Sequence, residues 1–371
     1  MQPIRPVPTL RVLGRLMVCA GTVCLIIQSA STGMMLAQAT RSSPRIAPRG
    51  EVLELSELML YVANLDRSIT FYRDVIGLEL PRGLNPPVWT ADPEVLRIHN
   101  TIGGAYRVAT HRLPGAPATS GLELVEYKDI AREPVQPRIQ DVGAATIILF
   151  VRDVDSVFAR LKKSGAPVVT ASGAPLAITT DGTPTRAVIV TDPDGSLVEL
   201  REIGPALQKS DPPSSNVVDT RFGITVADAE KAAHFYRDVF GCELEGTTPF
   251  SGDENLMDLT GTRGAQMRKS TLRVSGGSFL LELLEFKGIE RRNIRPADSL
   301  RSSVYVLPGV AALKFNVRDM RSLVKTLRSA GSTVVSAGGE AIEHVHNRDT
   351  HAVVRDPNDL FVQLAQRNAP Q

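Results

Sequence analysis

Cysteine is scarce in this sequence. Of its 371 residues, only Cys19, Cys24 and Cys242 are cysteines, and the first two lie within an apolar N-terminal run. A chain that retains Cys242 alone can form no disulfide within itself and no zinc site built on thiolates. Folding must therefore rest on ordinary hydrophobic cores, which two domains of this size can supply.

An excess of charge of either sign is also missing. Forty-two Lys and Arg residues stand against 40 Asp and Glu residues, which gives a formal net charge of +2. The sequence contains no basic stripe with interleaved aromatic residues. It therefore offers no electrostatic case for nucleic acid or for an anionic membrane surface, and we expect a small molecule as the partner.

The first 39 residues have the composition of an export signal. Three arginines precede an uncharged apolar run over residues 16–27, and small residues ending at Ala39 follow. This order predicts a secretory signal peptide, residues 1–39, cleaved after Ala39, and hence a secreted or periplasmic protein with no membrane contact after cleavage. The alternative is an uncleaved anchor, because residues 16–39 are about long enough to cross a bilayer. Residues 40–52 predict a flexible lead-in.

Three sequence blocks occur twice, in the same order. FYRDVIGLEL at 71–80 returns as FYRDVFGCEL at 235–244, LELVEYKDI at 122–130 as LELLEFKGI at 281–289, and VTDPDGSLVEL at 190–200 as VRDPNDLFVQL at 354–364. Repeats at a fixed spacing indicate duplicated structural units. The sequence therefore predicts one domain at residues 53–202 and its copy at 218–367, joined by a linker over residues 203–217.

Within each copy, strand and helix patterns alternate. A β-prone run ends near Val62, Asn64 can cap a helix, and Gly77 can end that helix in the left-handed conformation. Asp228 and Gly241 occupy the same places in the second copy. The pattern predicts an α+β protein in which a strand–helix–three-strand unit occurs four times.

These motifs resemble those of the vicinal oxygen chelate (VOC) superfamily, which includes glyoxalase I, bleomycin-resistance proteins and extradiol dioxygenases. The resemblance rests on a strand followed by V-x-[DN] and a helix with FYxxxxG, on a second V-R-D with a helix ending at Gly, and on DP[DN]-x3-V-[EQ]-L. It covers nearly all of residues 53–367. It implies two tandem domains, each a pair of βαβββ modules that close a cupped, mixed, eight-stranded sheet around a cavity.

The resemblance also implies four metal-ligand positions in each copy. These positions hold Glu57, Glu123, Thr146 and Glu199 in the first copy, and Arg221, Glu282, Ala312 and Gln363 in the second. Both expected histidines are missing from both copies. Because non-haem iron and zinc sites depend on histidine nitrogen, we expect neither a dioxygenase nor a zinc glyoxalase.

If the first copy closes its own sheet, Glu57, Glu123 and Glu199 point into one cavity. Carboxylates confined together raise one another's pKa unless a cation neutralises them, and an all-oxygen set would suit Mg²⁺, Mn²⁺ or Ca²⁺. Alternatively, Glu123 or Glu199 is a general base. We expect a third case, with no cofactor, in which the carboxylates are relics and Glu199 pairs with a nearby arginine. In the second copy, Arg221 and Glu282 would form an ion pair in place of a metal.

Other residues are candidates for ligand contacts. Arg107 and His111 share one face of a predicted strand, where they could orient an anionic substrate or simply face solvent. Trp89 lies in a long loop that could cover a cavity. His344, His346 and His351 could bind a metal, although the rim of a hairpin explains them equally well.

Together these observations predict an exported protein that binds a small organic ligand in the cavity of the first domain. The alternative is a lyase or isomerase that uses an oxygen-ligated divalent ion in that domain. The sequence leaves open whether the protein is an enzyme and whether it forms a homodimer.

Overall fold

The computed structural model describes residues 51–81, 87–115, 120–130, 134–204, 216–277, 279–294, 307–344 and 349–367. The predicted signal peptide, the lead-in up to residue 50, most of the linker and His346 lie outside these residues. Within the described ranges, no helix is both long enough and apolar enough to span a bilayer.

Sixteen strands and six α-helices make up the described structure. The strands are β1 Val52–Val62, β2 Ala105–Arg112, β3 Gly121–Lys128, β4 Ala145–Val151, β5 Leu176–Thr180, β6 Thr183–Thr191, β7 Leu197–Glu202, β8 Val217–Thr225, β9 Glu243–Thr247, β10 Gln266–Arg273, β11 Leu280–Lys287, β12 Ala311–Val317, β13 Thr333–Val334, β14 Ile342–Glu343, β15 Thr350–Arg355 and β16 Phe361–Gln366. The helices are α1 Leu65–Thr70, α2 Pro93–Ile98, α3 Val154–Ser164, α4 Ala229–Phe240, α5 Glu254–Leu259 and α6 Met320–Ser329.

The strands form two mixed sheets of eight strands each. In the first sheet the order is β13-β15-β16-β12-β1-β3-β2, with β14 paired to β15; in the second it is β5-β6-β7-β4-β8-β11-β10-β9. The predicted α+β class and the two mixed eight-stranded sheets are confirmed.

Each sheet contains strands from both repeats. In the first sheet, β1 of the first repeat pairs antiparallel with β12 of the second. In the second sheet, β4 of the first repeat pairs antiparallel with β8 of the second. The repeats therefore exchange halves, and the expectation that each repeat closes its own sheet is wrong. We call these two strand pairs, β1–β12 and β4–β8, the seams between repeats. The strands that meet at the two seams have similar sequence patterns, so the local sequence does not select the partner.

The helices keep the two halves of each repeat together. The Tyr72 hydroxyl donates to Asp192 Oδ2 at 2.9 Å, and the Tyr236 hydroxyl donates to Asp356 Oδ2 at 2.6 Å. These pairs join the FY motif of one half-repeat to the DP motif of the next. Both tyrosines are fully buried. In both repeats, the FY and DP motifs therefore hold the two half-repeats together.

Helix ends follow the predicted capping residues. Asn64 and Asp228 accept hydrogen bonds from backbone N–H groups in the first turns of α1 and α4. Gly241 ends α4 in the left-handed conformation, with φ of 70°. After α1 the chain continues as a π-helical turn over Phe71–Ile76, where the sequence predicted one regular helix, and it stops at Gly77 with φ of 98°.

The first strand unit also differs from the prediction. Among the described residues, β2 and β3 are the two strands of this unit that follow α1 and α2. The described residues of the segment after Gly77 form no further strand: they meet β2 through the hydrogen bond from Arg112 N to Glu79 O at 2.8 Å and through an isolated bridge between Thr90 and Tyr106. In the corresponding place of the second repeat, β9 pairs with β10 over several residues.

Candidate functional site

The three glutamates expected in one cavity lie in two different sheets. Glu57 on β1 and Glu123 on β3 belong to the first sheet, whereas Glu199 on β7 belongs to the second. Because the repeats exchange halves, Glu57 and Glu123 share a concave face with Ala312 and Gln363. The expectation of a three-carboxylate cavity is therefore wrong.

In the second sheet, Glu199 and Thr146 share the concave face with the two residues expected to form an ion pair in the second copy. That pair is present, with Arg221 Nη1 2.9 Å from Glu282 Oε1. Each concave face thus combines candidate positions from both repeats.

The concave face of the first sheet carries a lysine between its carboxylates. Lys314 Nζ lies 2.7 Å from Glu57 Oε2. Burial raises the pKa of Glu123, and the charge on Glu57 raises it further while Lys314 opposes the shift. Burial also lowers the pKa of nearby His99 to about 3 and, with the charge on Lys314, that of His351 to about 4. Both imidazoles are neutral at pH 7, so the positive charge beside Glu57 comes from Lys314.

Large side chains fill the rest of this concave face. Met59, Tyr61, Tyr127 and Phe361 are almost completely buried and belong to one hydrophobic cluster. The ring centroids of Tyr61 and Tyr127 lie 6.3 Å apart, and those of Tyr106 and Tyr127 lie 5.9 Å apart. Contacts at these separations are typical of packed aromatic cores.

The corresponding positions of the second sheet hold small residues. Gly223 and Thr225 on β8 take the places of Met59 and Tyr61 on β1, in the strand that flanks the seam between repeats. A cavity of about 280 Å³ lies on this concave face. Gly223 lies opposite Thr146 and Glu282, and Thr225 lies opposite Leu284, all of which line the cavity. Small side chains on β8 thus lie beside the open space.

The walls of the cavity are mostly apolar and come from strands of both repeats and from α5. The apolar lining residues are Ile139, Ile148, Ile178, Pro249, Leu256, Leu259, Met267 and Leu284. Helix α5 begins at Asp253, whose side chain accepts a hydrogen bond from Leu256 N at 2.9 Å. This cap directs Leu256 and Leu259 toward the sheet, so that one end of the cavity is closed by the helix.

The polar end of the cavity is built around a buried arginine. Arg201 on β7 donates from Nε to Glu199 Oε1 at 2.8 Å and from Nη1 to Glu282 Oε1 at 3.3 Å. Only 6% of its side chain is exposed. Burial alone would lower the pKa of Arg201, but the two carboxylates raise it. The guanidinium thus links the carboxylates from the two halves of the sheet, and the pairing of Glu199 with an arginine is as expected.

Two further cations complete the polar end. Arg221 on β8 and Lys269 on β10 both contact Glu282, and both reach Asp181, at 2.9 and 2.8 Å. Burial alone would raise the pKa of Glu282, but Arg201, Lys269 and Arg221 hold it well below its ordinary value. The six groups form a continuous network of alternating charge.

The donor sets of these two faces do not fit the divalent metal that the fold family implies. In the second sheet, three protein cations already lie within 3.5 Å of Glu282 or Glu199. In the first sheet, the buried Gln363 Oε1 lacks a hydrogen-bond partner among the described residues, but the Lys314 ammonium supplies the positive charge beside Glu57. A divalent ion would be repelled by these cations. His99 and His351 lie near Lys314, but among the described residues they form no group of close ligand atoms with the carboxylates of the first face.

The residues predicted to touch a ligand lie elsewhere. Arg107 and His111 alternate with the concave-face residues of β2, so they face the helices. Arg107 pairs with Glu126 at 2.7 Å and Asp66 at 2.9 Å, and the His111 ring is buried 6.2 Å from that of Tyr72. Trp89 packs under Arg107 and Lys128, with the cations 5.1 and 4.7 Å from its ring centroid. None of the three lines the cavity.

The histidines considered as a metal cluster also separate. His344 meets Asp92 and Glu94 at the start of α2, at 3.4 Å from each, and the ligand atoms of these three residues lie within 4.8 Å of one another. His351 is instead on the face of β15 that looks toward Lys314. Asp92 already caps α2 by accepting from Glu94 N and Val95 N, so ion pairing at a helix end accounts for this group.

Sequence reasoning missed four charged residues of these faces. Arg201 follows Glu199 by two positions on one strand, so the alternation of side chains could have placed it beside the predicted glutamate. Lys314 follows Ala312 in the same way. Asp181 and Lys269 had no such signal, because Asp181 lies in a turn and Lys269 lies on β10, a strand that carries no predicted site residue.

Comparison with known proteins agrees with this architecture. A family model, Glyoxalase/Bleomycin resistance protein/Dioxygenase superfamily, matches residues 54–200 and 220–364. The chain belongs to this superfamily. Among curated protein sequences, none matches the chain significantly.

Solved structures of this superfamily share the fold. The structure is similar to that of glyoxalase I from Zea mays, with a TM-score of 0.53 at 16% sequence identity, covering 84% of this chain and 92% of that one. Two single-residue variants of the maize enzyme give TM-scores of 0.54 and 0.53. At this identity the likeness concerns the fold alone, and the site has to be judged on its own residues.

Proposed function

We propose that this superfamily member binds a small organic ligand, without a metal ion, in the cavity of the second sheet. The observation that carries the proposal is the contrast between the two concave faces: one is filled by Met59, Tyr61 and Tyr127, whereas the other retains about 280 Å³. A volume of this size lies at the lower end of ligand pockets, and apolar walls with a few converging polar groups are typical of such sites.

The ligand site is therefore proposed in the second sheet, which contains half of each repeat, and not in a cavity of the first repeat alone. A divalent-metal lyase or isomerase is not favoured, because Arg201, Arg221 and Lys269 neutralise the acidic groups that a metal would need. The same cations fix the carboxylates in place, since each acid has a charged partner within 3.5 Å.

Binding of the neutral probe phenylacetamide to the full mature chain in the presence of EDTA tests this proposal. Gly223→Met should abolish binding, because a Cβ at residue 223 has only ordinary contacts, the nearest at 3.5 Å to Thr146, and the longer side chain extends into the cavity. Gly204→Met is the matched control, since Gly204 follows β7 outside the cavity lining and has no atom near its Cβ position. Calorimetric titration that shows equal binding to the wild type and Gly223→Met, or none to the wild type, would contradict the proposal.

We also propose that the protein is exported and that it acts after cleavage at Ala39. The arginines, apolar run and small residues of the N-terminus support this location. The intact mass of protein recovered from outside the cytoplasm of the producing cell should correspond to a chain that starts at Thr40. A full-length mass in that fraction would contradict cleavage.

A further inference from the structure

The hairpin β5–β6 brings one exposed carboxylate to the mouth of the cavity. Its turn consists of Asp181 and Gly182, both in the left-handed conformation with φ of 51° and 72°, between the paired residues Thr180 and Thr183. Two-residue turns of this kind match the twist of a hairpin. The Asp181 side chain is 45% exposed, so it approaches the cavity from the solvent side.

Asp181 binds two cations that are less exposed than it is. Its Oδ1 accepts from Lys269 Nζ at 2.8 Å and its Oδ2 accepts from Arg221 Nη1 at 2.9 Å. Only 10% of the Lys269 side chain and 19% of the Arg221 side chain are exposed. The carboxylate of Asp181 thus bridges two largely buried donors, one oxygen to each.

Without Asp181, the charges of the cavity do not balance. Arg201, Arg221 and Lys269 would stand against Glu199 and Glu282, which leaves one positive charge in excess. A single negative charge placed on Arg221 and Lys269 is needed for neutrality, because an unpaired buried cation is costly. In the structure this charge comes from Asp181, at the tip of a hairpin, and not from a strand of the sheet.

We infer that Asp181 occupies the place of a ligand carboxylate, and that the cavity accepts a small organic monocarboxylate with an apolar body. The ligand carboxylate would replace Asp181 on Arg221 and Lys269, while its apolar part lies against Ile178, Leu256 and Leu284. The hairpin tip then competes with the ligand for the same donors. This inference rests on the proposed function, and it adds the ligand class and a gate formed by the protein itself.

Phenylacetate and its neutral isostere phenylacetamide test the inference by calorimetric titration of the mature chain. Asp181→Asn should increase affinity for phenylacetate about tenfold, because an internal competitor reduces apparent affinity by the fraction of competent protein. Affinity for phenylacetamide should change little. Asp155→Asn is the matched control: Asp155 is an exposed partner of Arg186 and lies outside the cavity lining.

A second variant shows whether the acid uses the expected donors. Adding Lys269→Met to Asp181→Asn should remove the preference for phenylacetate over phenylacetamide, because the remaining charges then balance. If Asp181→Asn binds acid and amide equally, the carboxylate inference is overturned while the cavity keeps its proposed role. If neither probe binds the wild type or Asp181→Asn, the proposed function and this inference both fail.

Discussion

The two concave faces share a backbone but differ in what fills them. At the seam between repeats, Met59 and Tyr61 in the first sheet correspond to Gly223 and Thr225 in the second. On the first face, Lys314 is paired across the seam with Glu57. The corresponding seam position in the second sheet pairs Ile148 with Arg221. One face has therefore been packed and charge-balanced as a core, whereas the other keeps an open space with a denser charge network. Differences in a few inward-facing residues, on one scaffold, separate a core from a candidate site.

Removing the central cation of each face should give the largest effect and test how deeply each network is buried. Arg201→Met should lower the free energy of unfolding by about 3–5 kcal/mol, because it leaves buried carboxylates without their shared partner. Lys314→Met should cost less, about 1–2 kcal/mol: Lys314 and Glu57 each keep 19% of the side chain exposed, so water replaces part of the pairing. Urea unfolding at pH 7 measures the loss of stability in both variants. Equal losses would contradict the expected difference in burial between the two charge networks.

Glu123 and Glu282 occupy the same position in the two copies of the LEL block. Removing their charge should change the stability of the protein in opposite directions. The pKa of Glu282 is lowered in the folded protein, so its stabilising contribution is present above its unfolded pKa of about 4.3 and is lost as the pH falls. The pKa of Glu123 is raised, so its charged form opposes folding at neutral pH. At pH 7, Glu282→Gln should lose about 3 kcal/mol, whereas Glu123→Gln should be at least as stable as the wild type.

Unfolding curves recorded between pH 7 and pH 4 check the sign of each contribution. The loss in Glu282→Gln should shrink only as the pH falls below about 5, whereas the gain in Glu123→Gln should already shrink at higher pH, as the pH falls through the raised pKa of Glu123 toward its unfolded pKa. A destabilised Glu123→Gln variant at pH 7 would show that Lys314 outweighs burial at that carboxyl group.

The scaffold contacts shared by the two repeats should give equal, smaller effects. Tyr72→Phe and Tyr236→Phe each remove one hydrogen bond to a buried carboxylate, at Asp192 and Asp356. Each should lower the free energy of unfolding by about 1–2 kcal/mol. Denaturant titrations of the two variants should agree within about 0.5 kcal/mol. A clear inequality would mean that the repeats differ in their scaffold as well as in their concave faces.

The local structure of this protein could be predicted from its sequence. Capping by Asn64 and Asp228, the glycine stop at Gly241 and the alternating strands follow from spacing and residue type. The partner of each sheet half could not be predicted, because β1 and β4 offer similar edges to β8 and β12 and the choice depends on packing between distant segments.

The same limit explains the errors about the site. Glu57, Glu123 and Glu199 were correctly expected to face inward, but the exchange of halves placed Glu199 opposite Arg221 and Glu282 instead. Arg201 could have been added from its position beside Glu199. Asp181 could not, because nothing in the hairpin sequence indicates that its turn extends to the cations of another repeat.

The exchange of halves also gives the chain a nested order. The strands of the second sheet come from one continuous stretch, Ala145–Lys287, whereas those of the first come from both ends, Val52–Lys128 and Ala311–Gln366. The inner sheet can thus be completed while the C-terminal strands are still being made. Strand β1, however, must keep an unpaired edge until β12 emerges some 250 residues later, and such edges invite wrong pairing. A chain cut after the first repeat would lose β8–β11 from one sheet and β12–β16 from the other, so neither sheet could be completed.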